Sequence, residues 1–232
     1  MPYFGFYGID PLYIYIVLPA ILLSLFAQIK VKSTFSKYSK HLCHLSGAEA
    51  ARRVLEANGI FNVAIERTHG SLTDHYDPKA NVIRLSDTVY DNATVAAVGV
   101  ACHEAGHAVQ YAKHYSPIKI RNMLYPVCNL GSQLSMPLLL IGFIFNFPIL
   151  LYVGIAFFGI AITFQLVTLP VEFNASKRAI TAIRENNILL NDGEVKGARK
   201  VLTAAALTYI AAFLVSLAQL LRFLIIANRR RD

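Results

Sequence analysis

Charge is what this sequence has least of. Only 16% of its 232 residues are Asp, Glu, Lys or Arg, where an ordinary soluble domain carries roughly a quarter. With 55% hydrophobic residues and a mean hydropathy of +0.46, a water-soluble globule is excluded and an integral membrane protein is expected. Cysteine is scarce as well: Cys43, Cys102 and Cys128 are odd in number and lack C-x-x-C spacing, which excludes a disulfide framework and suits a reducing compartment. Two further absences are local. No Lys or Arg precedes Lys30, and no Asp or Glu stands between Glu104 and Glu172. The net charge of +8 would suit a nucleic acid, but Lys and Arg flank apolar runs instead of forming a stripe interleaved with aromatics. The partner they imply is the lipid bilayer and not a nucleic acid.

Against that background one stretch carries chemistry. His103-Glu104-Ala105-Gly106-His107 is H-E-x-x-H, and it lies in a segment that reads as helix. Residues four apart on a helix share a face, so the imidazoles of His103 and His107 can converge on one metal ion. Glu104, one residue round, stands beside that ion without ligating it, where a metal-bound water needs its general base. With seven His and seven Glu in the chain, a shuffle gives this pattern in under about one sequence in a hundred. No charged residue lies between Asp91 and His103, so the helix is expected to be buried, and bare histidines and a carboxylate would be costly there.

In chain order, residues 12–29 form an apolar run followed by Lys30, Lys32, Lys37 and Lys40. With aromatics before it (Tyr3, Phe4, Phe6, Tyr7) and no small-residue cleavage site after it, this predicts an uncleaved anchor with a cytoplasmic basic flank. Residues 34–123 are mixed and polar. Ser46 and Glu49 form a capping box opening a helix that Asn58-Gly59 ends. Strands are predicted over 60–66 and 81–85, with a loop at 70–78 between them and Asp91 or Asn92 capping the H-E-x-x-H helix. The strand at 81–85 is a candidate to pair with a substrate backbone. The cluster His69, Asp74, His75 and Asp77 admits a second-metal reading beside ordinary turn chemistry.

Residues 127–169 are apolar apart from Asn146-Phe147-Pro148, which predicts a transmembrane hairpin that returns the chain to the side it left. Pro170 then suits the first turn of a new helix. A catalytic zinc needs a third protein ligand. The hairpin and the absence of acidic rivals select Glu172, with His114 or His75 next in line; Gln110 and Lys113 occupy the positions where a metzincin would carry Gly and His. A final apolar helix over 202–227 contains Gln219 and Arg222 and ends in Arg229, Arg230 and Arg231. Counting spans puts that basic tail outside, against the positive-inside tendency, but eighteen of the twenty-two Lys and Arg lie in the two segments assigned to the cytoplasm.

Taken together, residues 71–78, Val82-Ile83-Arg84-Leu85-Ser86, His103-Glu104-Ala105-Gly106-His107-Ala108 and Leu169-Pro170-Val171-Glu172-Phe173-Asn174-Ala175-Ser176 resemble the YugP-like neutral zinc metallopeptidases of bacterial membranes over nearly the whole chain. More distantly, H-E-x-x-H, a hairpin and Glu-Phe-x-Ala are similar to the HtpX and CAAX-protease class, whose site faces the cytoplasm. That class would carry Asp where Ser176 stands, so the resemblance implies a metal-orienting carboxylate that this chain lacks.

The expected fold is a mainly α membrane protein: about four transmembrane helices and a small α+β zincin-like domain carrying the H-E-x-x-H helix. Its expected parts are an anchor (1–30), the water-facing domain (31–125), a transmembrane hairpin (126–169), a cytoplasmic segment with the third ligand (170–201), and a last transmembrane helix with its tail (202–232). The expected function is a multi-pass zinc endopeptidase of the plasma membrane acting on proteins or peptides at the cytoplasmic face. His103, His107 and Glu172 hold one Zn²⁺ per chain and Glu104 is general base to the zinc-bound water. The alternative is a non-catalytic, zinc-stabilised membrane scaffold, although structural zinc normally has four protein ligands. Tyr76, His75, Arg178 and Tyr209 all remain open as oxyanion-stabilising groups.

Overall fold

The structure, a computed structural model, describes residues 11–229; the aromatic residues Tyr3 to Tyr7 and the tail residues Arg230 and Arg231 lie outside them. A π-helical turn, Tyr13–Val17, leads into α1 (Leu18–Tyr38). Then come α2 (Gly47–Ala57), β1 (Ala64–Thr68), β2 (His75–Asp77), β3 (Val82–Ser86), α3 (Val95–Ala112), α4 (Ser116–Ile144), α5 (Pro148–Glu185) and α6 (Asp192–Arg229). Among the described residues, four helices are long and apolar enough to cross a membrane: Tyr13–Tyr38, Ser116–Ile144, Pro148–Glu185 and Asp192–Asn228. Only 11% to 28% of their most apolar windows is buried within the chain, so the remaining apolar surface needs lipid to cover it.

Two units divide the chain. One takes the described residues up to Gln28, then Ile120–Leu169 and the chain from Thr208 onward. Its hairpin turn has Asn146 at φ +54, a left-handed conformation that asparagine tolerates better than most residues. Gly142 faces the returning arm so closely that a Cβ there would stand 2.7 Å from the Leu151 nitrogen. Leu139, Leu151, Ile155, Phe223 and Ala227 form its small core, and the Gln165 amide donates to Ser216 Oγ at 3.0 Å, one of the side-chain hydrogen bonds that join helices in lipid.

The other unit takes Ile29–Lys119 and Pro170–Leu207. Ser46 accepts from the Glu49 amide and Glu49 reaches back to Ser46, the expected capping box, and Gly59 at φ +73 turns the chain out of α2. The sheet order is β1-β3-β2, with β1 parallel and β2 antiparallel to β3. Ala50, Val54, Leu55, Ile83, Leu85, Val98, Ala101 and Ile183 are among the buried residues of one continuous core.

Several expectations are corrected. The first strand begins at Ala64, because Ile60 is still bonded to Leu55 in the helix-ending turn. Residues 75–77 of the expected loop are strand β2, paired with β3 over three residues. Pro170 opens no new helix: α5 passes through it from Pro148 to Glu185. An interior proline removes one backbone hydrogen bond and costs about 3 kcal/mol, which the helical turns on both sides outweigh. The last helix likewise starts at Asp192 and not near residue 202, with the Asn191 side chain accepting from the Glu194 amide at its start.

Candidate metal centre

Helix α3 is built from small residues. Thr94, and neither Asp91 nor Asn92, caps it by accepting from the Ala97 amide; Asn92 instead bonds the Asp87 carbonyl. Alanine and glycine on its inward faces let other backbones come close. At Gly106 a Cβ would sit 2.7 Å from the Ala175 carbonyl oxygen, so only glycine allows α3 and α5 to approach at this level. That approach brings His103 and His107 of α3 to Glu172 of α5.

Nε2 of His103 lies 3.3 Å and Nε2 of His107 lies 3.5 Å from Glu172 Oε2. All three residues offer donor atoms within 4.8 Å of one another. Zinc binds nitrogen and oxygen at about 2.0 to 2.2 Å, so donors at the corners of a tetrahedron stand about 3.3 to 3.6 Å apart. Two edges of the cluster already have that length, and the pair of imidazoles with one carboxylate fits zinc with a position left for water. The site is enclosed: the side chains of His103, His107 and Glu172 are 14%, 11% and 5% exposed. Burial by itself would lower the His107 pKa, but the neighbouring carboxylates of Glu172 and Glu104 reverse this and raise it.

The outward nitrogens of the imidazoles are also engaged. His103 Nδ1 lies 3.1 Å from Ser176 Oγ, a contact available because Ser176 stands one helical turn after Glu172. His107 Nδ1 lies 3.0 Å from Gln110 Oε1. Gln110 is completely buried and donates to the Val171 carbonyl and to Asn174 Oδ1, while Arg178 Nε donates to the same Asn174 oxygen. Glu104 is not part of the three-donor group; its Oε2 accepts from the Tyr76 backbone amide at 3.1 Å.

The other candidates do other work. Asp74 accepts from the Ser86 amide and hydroxyl, Asp77 holds Arg84 and the turn amides of Lys79 and Ala80, and His75 Nδ1 meets the Thr73 carbonyl. Among the described residues His103, His107 and Glu172 are the one group with metal-binding geometry, so the second-metal reading is withdrawn. The strand at 81–85 is corrected too: β3 is the central strand with both edges paired, and the edge beside Glu104 belongs to β2. The Tyr76 hydroxyl donates to Asn81, Arg178 stacks over Tyr115, and buried Cys102 belongs to the core, where burial pushes its thiol up. Gln110, Asn174 and the need for glycine at position 106 had no signal in residue spacing, since each depends on how α3 meets α5.

Comparison with known proteins places these residues in context. A family model described as "Putative neutral zinc metallopeptidase" matches residues 13–228. The chain is 47% identical over 223 residues to a Bacillus subtilis (strain 168) protein named "Putative membrane protease YugP", an alignment covering 95% of this chain and 99% of the relative. No solved structure matches it significantly.

Proposed function

From the premise that the chain belongs to the "Putative neutral zinc metallopeptidase" family, we propose that it is a membrane-embedded zinc endopeptidase that hydrolyses proteins or peptides at the cytoplasmic face. The observation that carries this reading is the convergence of His103, His107 and Glu172 from two helices, with Glu104 adjacent but outside the donor group.

On this reading His103, His107 and Glu172 hold the metal. Zinc, when bound, supplies a Lewis acid that polarises a peptide carbonyl and acidifies water. Glu104 takes a proton from the attacking water and passes it to the leaving amine, and the Tyr76 amide fixes the carboxylate for that task. The outer edge of β2 offers an extended peptide a place beside Glu104. The enclosed position of the cluster limits bulk water and strengthens each electrostatic contact in it. The cytoplasmic assignment follows from Lys30, Lys32, Lys37 and Lys40, which come directly after the first apolar run.

The test is metal analysis of the purified full-length protein in detergent, with casein digestion before and after chelation. About one zinc per chain, loss of digestion with chelator and recovery on adding zinc are expected. Digestion that persists in fully metal-free protein overturns the reading.

A further inference from the structure

Neutral imidazole has one N–H and one lone pair, and a histidine ligates metal only through the nitrogen with the lone pair. What fixes that choice at His107 can be followed atom by atom. The Val171 carbonyl can only accept, so the Gln110 group 2.8 Å from it is the amide NH₂. The Arg178 guanidinium can only donate, so the Asn174 group 2.7 Å from it is the carbonyl oxygen. That same oxygen takes the second hydrogen of Gln110 at 3.0 Å. Both donor positions of Gln110 are then used, and the atom it presents to His107 at 3.0 Å is Oε1, an acceptor. Nδ1 of His107 therefore carries the hydrogen, and Nε2, which faces Glu172, is left with the lone pair.

We propose that Gln110 is a positioning residue for the metal site: wedged between α3 and α5 and oriented by Val171, Asn174 and Arg178, it holds His107 in the one tautomer that can ligate. This rests on the proposed role of His107 as ligand and adds to it the residue that selects the ligating nitrogen. The two histidines are not equivalent in this respect. Ser176 beside His103 has a hydroxyl that can rotate to donate or accept, whereas Gln110 is 0% exposed and every polar hydrogen it has is committed. Removal of its acceptor leaves a buried N–H without a partner and frees His107 to adopt the other tautomer or turn its ring.

The test is a double-mutant cycle on zinc affinity. Competition with a zinc-chelating dye is measured on the full-length chain in detergent for the wild type, Gln110→Leu, His107→Ala and the double variant. Gln110→Leu is expected to weaken zinc about ten- to a hundredfold, the usual effect of removing a partner of a metal ligand. In the His107→Ala background it is expected to change affinity by less than about twofold, because there is no imidazole left to position. Equal losses in both backgrounds mean that Gln110 only supports packing, and overturn the proposal, as does wild-type affinity in Gln110→Leu. If His107→Ala itself keeps wild-type affinity, the ligand assignment has failed and the positioning role falls with it; that outcome is distinct from a failure at Gln110 alone. Should the buried leucine prevent folding, Asn174→Ala carries the test, since it removes one of the groups that orient Gln110 and alanine suits a helix. One lost hydrogen bond corresponds to about two- to tenfold weaker zinc with His107 present and no change in its absence; unchanged affinity in both backgrounds overturns the proposal.

Discussion

Glu104 and Glu172 are carboxylates with different partners. Glu172 faces two imidazole nitrogens, whereas Glu104 accepts from a backbone amide, and the proposed roles of base and ligand follow from this. Glu104→Gln is expected to keep its zinc and lose about a hundred- to ten-thousandfold in turnover, the usual contribution of a general base. Glu172→Ala is expected to lose most zinc binding, while Glu185→Ala keeps it; metal content and casein digestion of the three variants read both. Full activity in metal-loaded Glu104→Gln would remove the base assignment. Asp74 belongs to a different balance. Its burial raises its pKa more than the two Ser86 hydrogen bonds lower it. Because the folded pKa lies above the unfolded value of about 3.9, the folded state holds the proton more tightly. The stability this contributes is complete below the unfolded pKa and is lost as pH rises through the folded pKa. Asp74→Asn is therefore expected to be at least as stable as wild type at neutral pH, with the difference vanishing as pH falls below about 4; thermal unfolding across pH measures it, and a variant that is less stable at pH 7 contradicts it.

Among the elements, the contact of α3 with α5 decides the site. Gly106→Ala puts a Cβ 2.7 Å from the Ala175 carbonyl, a backbone atom that cannot move aside alone. The expected effects are about 1 to 3 kcal/mol of destabilisation and weaker zinc binding as the helices part. Gly99→Ala is the control, because its Cβ would meet Ala198 at an ordinary 3.5 Å and alanine favours helix. Equal unfolding midpoints and zinc affinities for the two variants would show that the close approach is unimportant. The grouping of His103, His107 and Glu172 was legible in the sequence because helix periodicity sets the first two and the empty acidic stretch isolates the third. The capping box at Ser46 was legible for the same reason, that its pattern is local. Strand β2 was not: His75, Tyr76 and Asp77 have no strand periodicity of their own, and pairing with β3 makes them a strand. Gly106 and Gln110 stood in plain view within and after the motif, but their meaning is set by Ala175, Val171 and Asn174, which are far away along the chain.

For the whole molecule the decisive question is which side of the membrane each segment faces. With Cys43, Cys102 and Cys128 replaced, single cysteines at Lys37 and Asn146 are expected to react oppositely with a membrane-impermeant thiol reagent in intact cells, Asn146→Cys being the labelled one. Labelling of Lys37→Cys from outside would reverse the assignment. The chain order of the metal cluster has a further consequence, one of timing. A growing chain carries His103, Glu104 and His107 long before Glu172, because all of α4 and the first turns of α5 are made in between. At about 5 to 20 residues per second of synthesis, the ribosome takes some seconds to add the missing carboxylate. On the proposed ligand set, the emerging polypeptide has a base and two imidazoles during that interval but not the third ligand that completes the site. A translation product that stops before Pro170 keeps the H-E-x-x-H motif but lacks that ligand, so on the same proposal it is expected to bind zinc weakly and to cleave nothing.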